Sequence, residues 1–298
     1  MKGILLAGGM GSRLYPITMA TCKQLLPVYD KPMIYYPLSI LMLSGIREIL
    51  IISMEKDIPR FQALFGDGSH LGLSIAYAKQ DCPNGIAEAF IIGESFINND
   101  SVCLILGDNI FYGNSLETIF QDCCKDIDGG RIFGYQVKNP SRYGVIDLDE
   151  NGKIRNILEK PRHPPSPFAV TGLYYYDNQV IDIAKSLKPS DRGELEITDV
   201  NRAYLGLGRL KIMLFDKGFA WLDTGTPEAL AQASGYVQTI QERQGIKIAC
   251  LEEIAYQRNF ITLEMLEKLA SLYTNTDYGD YLKEIVLREE NPLFLETC

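Results

Sequence analysis

"LLAGGMGSRLYP", residues 5–16, continues the apolar run "KGILLA" at 2–7, which reads as a buried strand. Gly8, Gly9 and Gly11 give a turn without side chains, whose backbone N–H groups can approach an anion closely. Arg13 adds a planar fork suited to phosphate. A strand running straight into such a loop admits three chemistries. A dinucleotide fingerprint, G-x-G-x-x-G, fails because Leu14 stands where its last glycine belongs. A Walker loop fails because no Lys followed by Ser or Thr closes the turn. Nucleotidyl transfer survives, beside the simpler reading of a glycine turn flanked by solvated cations. Lys23, in "CKQLLPVYDKP", is a second cation suited to a phosphate oxygen.

Outward from the loop, "YYPLSILMLSGI" has the length and spacing of a helix ending at Gly45, and "REILIIS" reads as the next strand. Strands follow at "LSIAYAK", "SVCLIL" and "RIFGYQV", with helical stretches at "GIAEAFIIGESF" and "SLETIFQDCCKDI" between them. Alternating strands and helices predict an α/β fold, a Rossmann-like, mainly parallel (mixed) sheet flanked by helices. After about residue 140 the texture turns β-rich: "YGVIDLDENGKIRNILEKP" reads as a hairpin around Glu150-Asn151-Gly152. "AVTGLYYYD" and "RLKIMLFDKGFAWLD" add strands, and from Thr226 the pattern is helical. The expected organisation is an α/β domain over 1–225, with a β-rich insertion at roughly 110–220, and a helical C-terminal segment over 226–298.

Composition narrows the classes of function. The 298 residues carry a net charge of −9, which argues against a nucleic-acid partner but allows a small phosphorylated ligand. The seven cysteines, Cys22, Cys82, Cys103, Cys123, Cys124, Cys250 and Cys298, are odd in number and form no CxxC pair, so reduced thiols in a cytoplasm are expected. His70 and His163 are the only histidines and have no cysteine at ligand spacing, which disfavours zinc and histidine-based catalysis. No secretion signal is visible, and "PMIYYPLSILMLSG", broken by Pro37 and serines, is too short to span a bilayer. No membrane association is expected.

The motif chain carries the argument further. "LLAGGMGSRLYPIT" and "KQLLPVYDKPMIYYPLSILMLSGI" are followed in order by "QDCPNGIAEAF", "LGDNIFYG", "YGVIDLD", "EKP", "AVTGLYYYD", "GELEITDVN", "WLDTGT" and "EEIAY". Over nearly the whole chain this resembles the sugar-1-phosphate nucleotidyltransferases, and within them the branch that joins dTTP to glucose 1-phosphate. The resemblance implies that a phosphate oxygen of the sugar attacks the α-phosphorus of dTTP in line and releases pyrophosphate. That nucleophile is already anionic, so catalysis consists of positioning two mutually repelling phosphates and screening their charge.

The same resemblance implies roles for individual residues. Asp108 and Asp223 lie at the ends of two apolar strands and would share one Mg²⁺, an ion that takes oxygen ligands and leaves positions for phosphate and water. Gly8, Gly9, Gly11, Ser12, Arg13, Lys23, Gln24, Gln80, Gly85 and Asp108 fall to the nucleotide, with Arg13 and Lys23 catalytic. Asn109, Tyr143, Gly144, Glu159, Lys160, Val170 and Tyr174 fall to the sugar phosphate. A homotetramer inhibited by dTDP-rhamnose at a second nucleotide site is the implied regulation, within rhamnose or related polysaccharide synthesis. Met10 and Ser12 depart from the family pattern, a mild change in a loop that works through its backbone, and Leu158 stands where an acidic residue often precedes Glu-Lys-Pro. Gln257 stands where the family usually carries arginine, and a neutral amide makes a weaker phosphate contact. The rivals are a transferase of the same fold that uses UTP or another triphosphate, and a non-catalytic sugar-nucleotide sensor. The sensor reading would require loss of Arg13, Lys23 or a metal carboxylate, and all are present.

Overall fold

The computed structural model describes residues 1–125 and 127–290. The main strands are β1 (Lys2–Leu6), β2 (Glu48–Ser53), β3 (Ser74–Lys79), β4 (Val102–Leu106), β5 (Asn109–Tyr112), β6 (Gly130–Gln136), β7 (Gly144–Leu148), β8 (Ile154–Glu159), β9 (Phe168–Tyr176), β10 (Leu210–Leu214) and β11 (Ala220–Asp223). Nine of them form one sheet in the order β8-β7-β9-β4-β1-β2-β3, with β6 beside β9 and β10 beside β6. β4, β1, β2 and β3 run parallel, and β9 enters antiparallel to β4. The sheet is therefore mixed, as expected. Five strands of the 110–220 stretch, β6 to β10, extend this same sheet.

The two-residue period of the strands divides the core. Ile4, Leu50 and Leu104 face one apolar cluster with Phe90, Val180, Val200 and Tyr204. Their neighbours Leu5, Ile51 and Ile105 face the other, with Leu38, Leu41, Phe61, Phe65 and Phe120. Both faces are buried, which is why these strands are continuous apolar runs rather than alternating ones. The helix Tyr35–Leu43 lies where its spacing placed it, and Gly45 follows at φ 81°. "GIAEAFIIGESF" instead splits into Glu88–Ile92 and Glu94–Ile97. The break is at Gly93, where a Cβ would stand 2.9 Å from Ile4 Cδ1, so close packing on the sheet sets the glycine. Helices at Ile58–Phe65, Val180–Ser186 and Ile197–Gly206 complete the layers, and sequence spacing did not mark them; Leu251–Gln257 lies in the segment read as helical.

The helix Pro227–Gln244, capped by Thr226, packs Ala233 and Val237 against Leu14, Val28 and Tyr36. The ribbon of Pro27–Val28 and Lys31–Pro32 meets it there. Lys31, only 4% exposed, donates to Asp30 (2.5 Å) and to Gln241 Oε1 (3.1 Å), so a buried charge keeps both its ion-pair partner and a tail residue. Leu263–Leu272 and Asp277–Glu290 close the tail, where Tyr273 and Tyr278 donate to the buried Glu252 carboxylate (2.9 and 2.6 Å). Gln241, bound to both Asp30 and Lys31, fastens the tail to the segment that follows Lys23. No described helix is long and apolar enough to cross a membrane.

Candidate active site

Adjacent parallel strands end on the same edge of a sheet, so the loops after β1 and β4 converge. Leu6 stands opposite Leu106, and the Gly107 N–H donates to the Leu6 carbonyl (2.9 Å). The glycine loop therefore lies beside Asp108. A Cβ at Gly107 would meet Gln24 Cγ and the Leu6 carbonyl at 2.9 Å, so glycine permits this approach. Gly9 and Gly11 take φ 98° and 61°, and Thr18 Oγ1 donates to the Gly11 carbonyl (2.7 Å), holding the loop against a short 3-10 turn at Ser12–Leu14.

A two-stranded ribbon brings the second carboxylate. β11 pairs antiparallel with β5 and sets Asp223 opposite Asn109, one residue from Asp108. Thr224 then donates twice to the Asp108 carbonyl, from its N–H (3.1 Å) and from Oγ1 (2.8 Å). The environments of the two acids differ. Burial pushes the Asp108 carboxyl up, but the charge and hydrogen bond of Lys23, with the amide of Asn109 (3.0 Å), hold it below the usual range. Burial and then repulsion from Asp108 raise Asp223, which Lys23, Arg13 and Arg142 only partly offset. Asp223 is thus the less compensated of the two carboxylates. Among the described residues no group of three or more His, Cys, Asp or Glu gathers as a metal site. Two carboxylates set beside each other by this pairing, one of them incompletely compensated, fit a hard divalent cation that fills its other positions from substrate and water.

Two cavities meet at this edge. One is lined by Asp108, Asn109, Tyr143, Gly144, Glu159, Lys160, Val170, Tyr174 and Asp223. The other is lined by the glycine loop from Gly8 to Leu14, Lys23, Gln80, Gly85 and Glu194. Arg13, Ile86 and Lys160 line both. Every residue expected at the sugar phosphate thus falls in the first cavity. Those expected at the nucleotide fall in the second, apart from Asp108 and Gln24. Gln24 lines neither cavity: it is buried, its amide donates to the Gly8 carbonyl (3.3 Å), and its Oε1 has no partner among the described residues.

The first cavity is preorganised by bonds along its walls. Asn109 Oδ1 accepts from the Gly172 N–H (3.0 Å) and from Trp221 Nε1 (2.6 Å), so its orientation is set before any ligand arrives. Glu159 Oε2 accepts from Thr198 Oγ1 (2.5 Å), and Oε1 lies 3.5 Å from Lys160 Nζ. Lys160 itself has φ 41°, a left-handed conformation uncommon for a side chain of its size. Its N–H donates to the Tyr143 carbonyl (3.0 Å), which helps keep that strained backbone at the rim. A Cβ at Gly144 would stand 3.1 Å from Thr198 Oγ1, so the wall stays open there. Tyr143 packs on Trp221 with ring centroids 5.1 Å apart.

In the second cavity, Gly85 has φ 112°, and a Cβ there would stand 2.3 Å from the Leu195 carbonyl. Leu195 is tied to the same turn by its N–H to the Asn84 carbonyl (2.6 Å), while its own carbonyl accepts from the Ala87 N–H (3.2 Å). "GELEITDVN" thus braces "QDCPNG" from a distance in sequence. Arg142, Thr198, Trp221, Ile86 and Glu194 line the cavities without having been singled out. Thr198, Trp221, Ile86 and Glu194 stood inside quoted motifs, but no spacing rule tells which side chain of a motif faces inward.

A family model for nucleotidyl transferases matches residues 2–239. A glucose-1-phosphate thymidylyltransferase of Neisseria meningitidis is 56% identical over 286 residues, 96% of this chain and 99% of that protein. One from Mycobacterium tuberculosis is 52% identical over 288 residues, 97% of this chain and 100% of that protein. A Bacillus anthracis protein crystallised with sucrose superposes with a TM-score of 0.73 at 42% identity, over 79% of this chain and 94% of that one. A UDP-glucose pyrophosphorylase bound to UDP-glucose gives 0.71 at 25% identity, over 80% and 98%. By that model match, and by identity over nearly its full length, the chain belongs to the nucleotidyl transferase family, among the glucose-1-phosphate thymidylyltransferases.

Proposed function

We propose that the chain transfers the thymidylyl group of dTTP to α-D-glucose 1-phosphate, giving dTDP-glucose and pyrophosphate. The observation that carries this reading is the meeting of two cavities at Arg13 and Lys160, with an acidic pair beside them. Two phosphorylated substrates need such an arrangement: separate pockets for base and sugar, and cations where the phosphates face each other. Gln80 and Gly85 would receive the base, and the glycine loop the triphosphate. Asn109, Gly144, Glu159, Val170 and Tyr174 would hold the sugar, and Lys160 its phosphate. Arg13 and Lys23 stabilise the charge that grows at the α-phosphorus. Mg²⁺ held by Asp108 and Asp223 would supply charge neutralisation at the triphosphate.

The same reading assigns residues 1–225 to catalysis and 226–298 to assembly and regulation, in a cytoplasmic homotetramer inhibited by dTDP-rhamnose. The described cysteines are all free, which supports a reducing compartment. Gln257 Nε2 donates to Glu253 Oε1 (3.1 Å), and the neighbouring Arg258 pairs with Glu117 (2.6 Å), so neither offers an uncommitted cation. Inhibition by dTDP-rhamnose is expected to be weaker than the family norm, and Gln257→Arg to tighten it without changing kcat. Equal dose–response curves for the two proteins would remove position 257 from the effector site.

Pyrophosphate release from glucose 1-phosphate, Mg²⁺ and each of five nucleoside triphosphates tests the activity. The fastest release is expected with dTTP. UTP should follow, since it keeps the N3–H and carbonyls of the base and differs only in the methyl, worth about 1–3 kcal/mol in an apolar pocket, and in the ribose 2′-OH. Preference for ATP, GTP or CTP would overturn the thymidylyl assignment, and release with none would favour a binding protein.

A further inference from the structure

The side chain placed to read the base has one of its two ends already taken. Gln80 is 3% exposed, and its Nε2 donates to Glu88 Oε2 (2.8 Å). The other oxygen of Glu88, Oε1, accepts from Asn84 Nδ2 (2.8 Å). A carboxylate only accepts, so the amide of Gln80 cannot turn around without setting oxygen against oxygen. Its carbonyl oxygen is left facing the glycine loop: a Cβ at Gly8 would stand 2.3 Å from it. Both Gly8 and Gln80 line the cavity assigned to the nucleotide.

We infer that Glu88 is a positioning residue for base selectivity: by fixing the amide of Gln80 it presents an acceptor, and so selects pyrimidines that carry an N3–H. Thymine and uracil donate from N3 and satisfy Gln80 Oε1. Cytosine has a lone pair at N3, which would meet the lone pairs of Oε1. A free amide could rotate and present its NH₂ to cytosine; one held by Glu88 cannot. The clamp also spans the turn from Gln80 to Glu88, because Asn84 is bound to the same carboxylate. Thymine is not told from uracil by this device, since both have the same N3 and O4.

The inference rests on the reading that Gln80 contacts the base, and the two are separable by experiment. The ratio of kcat/KM for dTTP to that for dCTP is measured with glucose 1-phosphate on the parent, Glu88→Leu, Glu88→Gln and Gln80→Leu. The fraction of folded protein cancels in this ratio. Glu88→Leu frees the amide, and the ratio is expected to fall by at least about tenfold, with the dTTP to dUTP ratio unchanged. Glu88→Gln keeps a carbonyl able to accept from Gln80 Nε2, and should hold the dTTP to dCTP ratio within about threefold of the parent. Parental selectivity in Glu88→Leu, with selectivity lost in Gln80→Leu, would overturn the role of Glu88 and leave Gln80 as the base reader. Unchanged selectivity in Gln80→Leu would remove the base contact itself, and the clamp with it. Loss of the dTTP to dUTP ratio along with the other in Glu88→Leu would mark a loosened pocket and overturn the inference.

Discussion

Asp223→Asn is expected to lower turnover by about three orders of magnitude, ~4 kcal/mol of charge stabilisation, while the metal-free protein melts higher than the parent. Asn keeps the shape of Asp and the backbone pairing of Asp223 with Asn109, so the ribbon survives. What it removes is the charge that burial and Asp108 both oppose. Metal-free, that charge should cost stability; with a cation bound, it would serve as a ligand. Asp108→Asn should be equally inactive but melt lower, because it strands Lys23, whose side chain is only 12% exposed and which is paired with that carboxylate. Differential scanning calorimetry with and without Mg²⁺, beside Mn²⁺ binding followed by electron paramagnetic resonance, reads both effects. Full-strength Mn²⁺ binding in either variant would remove that residue from the ligand set. A lower melting point for metal-free Asp223→Asn would show that its charge is balanced after all.

Arg13→Ala and Lys160→Ala are expected to split kcat from KM. Arg13 is exposed, makes no hydrogen bond or ion pair among the described residues, and lines both cavities. Its loss should leave the fold untouched, and on the proposed role it would remove a cation that acts most as charge develops, so kcat should fall by about 10²–10³ with a smaller change in the KM for dTTP. Lys160 is held at the rim by its backbone and by Glu159. Lys160→Ala should raise the KM for glucose 1-phosphate about 10–100-fold, as expected for one lost bond between charged groups, with kcat less affected. Steady-state kinetics with each substrate varied in turn separate the cases. A change confined to the KM for dTTP in Lys160→Ala would mean that the two phosphate positions are exchanged.

The amino-acid sequence by itself determined the class of fold and the residue types of the opening loop. Continuous apolar runs at Lys2–Leu6 and Val102–Leu106 follow from burial on both faces of a parallel sheet, and that requirement is local enough to be legible. The glycines of residues 8–11 are legible for a related reason: positive φ at Gly9 and Gly11 restricts the residue type whatever surrounds it. The tertiary structure decided what depends on pairing across long separations. Asp223 reaches Asp108 only through the register of β5 with β11, and nothing near either aspartate specifies that register. The interior break at Gly93 depends on Ile4, and the turn at Gly85 on Leu195, each distant in sequence. Gln80 shows the difference most sharply. Its residue type announced a group able both to donate and to accept, but the Glu88 carboxylate, placed by the turn between them, left it one free end. Side-chain chemistry is written residue by residue; which end of it faces a ligand is settled by neighbours that the chain brings together only on folding.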